Sequence, residues 1–278
     1  NEVSRALLML AVAAMQPWGR IAEGAEFPLA IQFSGTPGLY SLDQWKRDWP
    51  GCRFEDGVRD GRVSLREEGA VRWMRVTCRA GEIGPGRGGA GWRQPFERQE
   101  AAELTYTVRF APDFDFVKGG KLPGFGGGPE NVGGGTRPTG ENGFTVRVMW
   151  RHEGRGELYV YHVDQRRNTG ESIAFPEEFR FPPGEPVEVR LMMSLNTPGR
   201  RDGVVRAWTT RPGESERLMV ERSDLCWRTV DSFGVDSLYF QTFHGGSTPD
   251  WAPRRDCWVE FADFRVDAPR DAGTTGSP

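Results

Sequence analysis

Phe144-Thr-Val-Arg-Val-Met-Trp-Arg-His-Glu-Gly-Arg-Gly-Glu-Leu-Tyr-Val-Tyr161 reads as two β-strands joined by a short turn. Val146, Val148 and Trp150 alternate with Thr145, Arg147 and Met149, and Leu158 and Val160 alternate with Tyr159 and Tyr161. Successive side chains of a strand point to opposite faces, so each segment has an apolar face and a polar one. His152-Glu-Gly-Arg-Gly156 is short enough to close an antiparallel hairpin. Pairing the two strands puts Thr145, Arg147, Tyr159 and Tyr161 together on the face away from the core.

The same period of two recurs on both sides of this hairpin. Val71–Arg79, Leu104–Phe110, Val187–Leu195, Val204–Thr210, Arg217–Arg222, Leu238–Phe243 and Trp258–Val266 all read as strands. No long stretch carries the i, i+3, i+4 spacing of an amphipathic helix. About ten strands without crossover helices imply an all-β fold, an antiparallel β-sandwich of the β-jelly-roll type, with one sheet offering a concave polar face. Two glycine-rich segments, Gly81–Gly91 and Gly119–Gly135, read as loops. Neither enters a helix as a phosphate-binding loop must. The second holds Lys121 in Lys118-Gly-Gly-Lys-Leu-Pro-Gly124, where Pro123 stiffens the chain and the lysine can cap the polar face.

The 278 residues suit one large domain, expected over 27–267 and monomeric. A net charge of −3 gives no electrostatic footprint for a nucleic acid, and none is expected as partner. Residues 1–26 resemble a leader: Arg5 precedes the apolar run Ala6–Met15, which is too short to span a bilayer, so no membrane partner is expected. A secreted or periplasmic protein follows from that reading. Residues 268–278 read as a disordered tail. The four cysteines (Cys52, Cys78, Cys226 and Cys257) contain no Cys-x-x-Cys pair, so no metal site is expected. Their even number fits two disulfides, most simply Cys52–Cys78 and Cys226–Cys257.

An arginine, a lysine and two tyrosines without a carboxylate form an unusual set. Glycoside hydrolysis wants two paired carboxylates, and acyl transfer wants a nucleophile elbow; neither pattern is found. β-Elimination from a uronate polymer suits the set and needs no cofactor. Removing the C5 proton builds negative charge on the adjacent carboxylate, which Arg147 can neutralise with its two-pronged guanidinium. A tyrosine can serve as base or acid if a neighbouring cation lowers its pKa from about 10. Lys121 can supply that cation or grip the carboxylate itself.

At these residues the chain resembles polysaccharide lyase family 14, the alginate and polyuronate lyases, and shares some likeness with the family 20 glucuronan lyases. The resemblance rests on Lys118–Gly124, Phe144–Arg151, Gly156–Tyr161, Phe240-Gln-Thr-Phe-His-Gly-Gly-Ser247 and Trp251-Ala-Pro253. It implies a jelly roll that performs metal-independent elimination on an acidic polysaccharide, with Lys121, Arg147, Tyr159 and Tyr161 as the catalytic set. Thr145 stands where the family motif has serine, and Arg137 or Thr139 occupies the region of a family histidine. Thr145, Arg93, Gln94, Gln241 and His244 are candidate substrate-binding residues, His244 with a structural role as the competing reading. A carbohydrate-binding module on the same fold, or a glycoside hydrolase, are the alternative functions.

Overall fold

A computed structural model describes residues 25–52 and 54–270. The leader-like stretch up to residue 24 and the tail from 271 lie outside the described residues.

Among the described residues fifteen strands form two sheets. The strands are β1 (Leu29–Ala30), β2 (Gly38–Leu39), β3 (Val63–Glu68), β4 (Val71–Cys78), β5 (Ala90–Gln99), β6 (Ala101–Phe110), β7 (Gly119–Gly127) and β8 (Phe144–Arg151). They continue with β9 (Gly156–Tyr161), β10 (Glu171–Ala174), β11 (Pro186–Ser194), β12 (Gly203–Thr210), β13 (Arg217–Leu225), β14 (Val235–His244) and β15 (Cys257–Asp267). The larger sheet has the order β13-β12-β11-β6-β15-β4-β3-β2, with β1 also pairing β15; the smaller has the order β10-β9-β8-β7-β14-β5. Neighbouring strands pair antiparallel throughout. This is the expected jelly-roll sandwich.

The hairpin sits as its alternation requires. Thr145 lies opposite Tyr161, Arg147 opposite Tyr159 and Met149 opposite Glu157. Val146, Val148, Trp150, Leu158 and Val160 are fully buried between the sheets. A short helix, α1 (Leu42–Asp48), closes one end; Ser41 and Gln44 cap it reciprocally. Its Trp45 and the following Trp49 both pack on Trp92 of β5, with ring centroids 5.7 and 5.1 Å away. Seven residues are too few for a helical period to show in sequence. Among the described residues no helix is long and apolar enough to cross a membrane.

Part of the second glycine-rich segment read as a loop is a strand, whereas the first remains a connection up to Ala90, where β5 begins. β7 runs through the glycine-rich stretch and lies between β8 and β14, in the interior of the smaller sheet. Glycine is a poor strand former, but here close packing demands it. A Cβ on Gly120 would stand 2.1 Å from the Trp150 ring and 2.3 Å from the Phe243 carbonyl oxygen. One on Gly124 would stand 2.0 Å from the Val146 carbonyl oxygen. Pro123 has no N–H for a ladder, and the register slips there on both sides, between Lys121 and Gly124 toward β8 and between Tyr239 and Phe243 toward β14. The slip is a β-bulge, which bends a strand and re-aims its side chains. Lys121 therefore rises from the sheet floor and is not a cap on an overhanging loop. β5, with Pro95, is an edge strand, where proline is tolerated. Gly120→Ala is expected to lower stability by about 3 kcal/mol, the upper end for overpacking; an unchanged urea midpoint would contradict the close fit.

The expected disulfides are not present. Cys52, Cys78, Cys226 and Cys257 are free thiols. The strand order sets Cys78 of β4 directly opposite Cys257 of β15, so neither cysteine faces the partner that sequence proximity suggested. Cys52 instead donates to Gln94 Oε1 at 3.5 Å.

Candidate active site

The outer face of the smaller sheet forms the floor of a cleft of about 1180 Å³. Four adjacent strands supply that floor: Tyr159 and Tyr161 from β9, Arg147 and Met149 from β8, Lys121 from β7, and Tyr239 and Gln241 from β14. Loops around Gly133–Gly135, 164–170 and 245–251 form its walls. The register brings Lys121 opposite Met149 on one side and Phe243 on the other.

Lys121 Nζ lies 3.0 Å from Met149 Sδ and 4.2 Å from the centroid of the Tyr159 ring. These are soft, apolar neighbours for an ammonium. Burial, and then the charges of Arg147 and Arg151, push the Lys121 pKa well below that of a free lysine, against a smaller opposite pull from Glu157. The tyrosines stand edge to face, with centroids 5.6 Å apart. Burial and the adjacent Tyr161 push Tyr159 up to about 12. Arg147 pulls Tyr159 the other way, as the expected nearby cation would, but burial outweighs it, and Lys121 is itself driven toward its neutral form. Tyr161 OH accepts a hydrogen bond from the Gly135 N–H at 3.4 Å.

Arg147 is 3% exposed. Its guanidinium donates to Gln241 Oε1 and lies 5.2 Å from the Tyr239 ring centroid and 5.9 Å from that of Tyr161. Other buried arginines carry an acidic partner: Arg62 with Asp60 at 2.9 Å, Arg190 with Glu103 at 2.8 Å, and Arg228 with Glu100. Among the described residues Arg147 has none, although a buried charge is costly unless paired. The guanidinium lines the cleft.

The remaining candidates divide by strand parity. Gln241 faces the cleft. Thr145 shares the polar face but is fully buried beside Tyr161, and its Oγ1 has no hydrogen-bond partner among the described residues. Arg93 lies beside Tyr239 on the same face and is held by Ser237 at 3.0 Å and Asp236 at 3.2 Å, outside the cleft lining. Gln94 points the other way: it is fully buried and donates to the carbonyls of Pro50 and Pro95 at 2.7 and 2.9 Å, so it does not reach a sugar. His244 also points inward, packed flat on Phe114 at 5.3 Å with Nε2 2.7 Å from the Asp115 carbonyl oxygen. His162 is buried at the end of β9, with Nε2 2.7 Å from Glu171.

Several residues of this face were not singled out from sequence. Tyr239 and Phe243 share the parity of Gln241, and Met149 and Arg151 that of Arg147, so period two alone could have found them. Glu157 shares the parity of Tyr159, which corrects the view of a face without a carboxylate. It binds Arg151 at 2.6 Å and accepts from Ser172 at 3.0 Å, and so holds the edge of the floor. Among the described residues, the one grouping of metal-ligating side chains lies outside the cleft.

The family profile of polysaccharide lyase 14 matches residues 67–264. The marine PL-14 alginate lyase from Aplysia kurodai superposes with a TM-score of 0.75 at 26% identity, over 87% of this chain and 98% of that one. Alginate lyase Aly36B superposes with a TM-score of 0.76 at 25% identity, over 89% and 99%, and a variant of it has been solved with alginate tetrasaccharide. An endo-β-1,4-glucuronan lyase from the fungus Trichoderma reesei shares the fold more distantly, with a TM-score of 0.50 at 13% identity over 79% and 92%. A comparison with curated proteins finds no match. Family profile, fold and the long-range match to alginate lyases agree, and the chain belongs to polysaccharide lyase family 14, as a polysaccharide lyase.

Proposed function

We propose that this lyase cleaves alginate or a related (1→4)-linked polyuronate by metal-independent β-elimination. The observation that carries the reading is Arg147, a buried guanidinium facing the cleft without an acidic partner among the described residues. A uronate carboxylate fits it as a bidentate ligand, with Gln241 alongside. As the C5 proton leaves, charge builds on that carboxylate, and a preorganised cation in a partly dry site stabilises it most at that moment.

Lys121 is the base in this reading. Its amine is kept toward the neutral form, which has a lone pair to take the C5 proton. Tyr159, whose phenol keeps its proton up to about 12, or the adjoining Tyr161, donates to O4. The C5–H electron pair becomes the C4=C5 double bond, the C4–O4 bond breaks, and O4 leaves with the tyrosine's proton. Solvent then returns the proton from Lys121 to the tyrosine. The polyuronate-bound structure of a relative supports an acidic polysaccharide as substrate.

Incubation with alginate, glucuronan and hyaluronan, following the ultraviolet absorbance of the unsaturated uronate, tests the reading. At least one polymer is expected to give the chromophore; none doing so over a wide pH range would refute it. The pH profile has a definite sign. Lys121 is inactive as base when protonated, so kcat rises as pH rises through its depressed pKa, at lower pH than an ordinary lysine would allow. The alkaline fall waits for the tyrosine's proton, toward about 12 for Tyr159. Activity that appears only above the ordinary lysine pKa of about 10.4 would contradict the neutral base.

A further inference from the structure

Behind the cleft floor, between the sheets, three side chains that the elimination does not use converge. Cys78 of β4 and Cys257 of β15 lie opposite each other in the larger sheet. His244, at the end of β14 in the smaller sheet, meets them from across the core. One donor atom from each lies within 4.8 Å of the others. Their exposures are 0%, 3% and 0%, so all three are closed off from bulk water.

The imidazole carries a second, independent sign of a ligand. Its Nε2 lies 2.7 Å from a backbone carbonyl oxygen, that of Asp115, which can only accept; Nε2 therefore holds the proton. Nδ1 is then a bare lone pair, buried and without a hydrogen-bond partner among the described residues. An imidazole whose far nitrogen donates to a carbonyl, fixing ring and tautomer, is the usual setting of a histidine metal ligand. The ring is further clamped between Phe114 and Trp150, each with its centroid 5.3 Å away.

We infer that Cys78, Cys257 and His244 form a zinc(II) site that joins the two sheets beneath the active-site floor. Thiolate and imidazole donors select zinc or copper over magnesium and calcium, which want oxygen. Charge separates the remaining choices. Two thiolates, one neutral imidazole and a dication sum to zero, whereas a monovalent copper ion would leave a net negative charge in an apolar interior. Loading releases two protons, one from each thiol, as the two Zn–S bonds form. Three protein donors leave zinc one tetrahedral position for a water or a backbone oxygen. The ligands are spread over 78, 244 and 257, so no Cys-x-x-Cys spacing announces them. The ion's place explains a benefit to the cleft: Gly245, next to His244, donates its N–H to the carbonyl of Gly119 at 3.1 Å, where the lysine-bearing strand begins. The site is a staple and touches no substrate.

The test uses the whole reduced protein with zinc(II) as the probe. After exhaustive dialysis, about one zinc per chain is expected by elemental analysis, and cobalt(II) in its place should show thiolate-to-cobalt charge transfer in the near ultraviolet. Cys257→Ser and His244→Gln should each weaken zinc binding by about 100-fold or more, and Cys226→Ser, away from the site, should not. If a variant fails to fold, the cobalt spectrum and a chelator titration of the wild-type protein decide alone. No retained zinc and no charge-transfer band with all four thiols reduced would overturn the inference. So would a Cys78–Cys257 disulfide in the protein as isolated, or undiminished zinc in folded Cys257→Ser. None of these outcomes depends on lyase activity.

Discussion

Lys121→Ala is expected to lower kcat on the preferred polyuronate by about 10²–10⁴-fold, the range for removing a positioned base. Substrate binding should change far less, because Arg147 and Gln241 still hold the carboxylate. The loss must not come from unfolding, and the site makes that separable. The amine lies against Met149 and Tyr159 in a setting that penalises its charge. The unfolded chain binds that proton more readily than the folded one, so Lys121 subtracts from stability in full below its folded pKa, and the deficit shrinks as pH rises from there to the unfolded pKa. Lys121→Met should therefore be as inactive as the alanine variant and unfold at a higher urea concentration at pH 7. Wild-type turnover in either variant would remove Lys121 from the mechanism. A destabilised methionine variant would instead contradict the penalised amine.

Arg147→Ala is the second large effect. Its guanidinium neutralises charge that grows during the reaction, and removing such a group costs about 10²–10³-fold in kcat. Unlike Lys121, it also grips the substrate before reaction, so KM should rise as well and kcat/KM should fall further than kcat. Arg147→Lys should rescue little, since an ammonium lacks the planar fork that meets a carboxylate at two points. Because no acidic residue among those described pairs with Arg147, its removal strands no buried countercharge, and the folded state should survive. Activity of Arg147→Ala within tenfold of wild type would refute the carboxylate-clamp role.

Much of this was legible in the sequence wherever side chains alternate. The hairpin from Phe144 to Tyr161 announced its antiparallel pairing, its core face and the grouping of Arg147 with Tyr159 and Tyr161. Lys121 drew attention through its glycine–proline frame, but its place did not. Strand propensities describe side chains that fill a pleated surface, and β7 has almost none; what makes it a strand is the Trp150 ring and the Val146 and Phe243 carbonyls crowding against it. That crowding is visible only once the sheet is assembled. Gln94 and His244 stood as substrate-binding candidates because their strands were not resolved into parity, although Trp92 and Phe240 share their inward set; for His244 the competing structural reading fits the structure. The cysteines misled for a related reason: nearness in sequence stood in for nearness in space, and β4 adjoins β15.

The bulged β7 has a consequence for how the molecule reaches its working state. Its partners are β8, close by in sequence, and β14, more than a hundred residues downstream. The β8–β9 hairpin, with Met149 and Tyr159, can form locally and early, but Tyr239, Gln241 and Phe243 join the cleft floor only after β14 closes that long loop, and distant closures are slow. In refolding, recovery of catalytic power is therefore a late clock: it should trail the return of strand signal and report the moment when β14 docks beside β7.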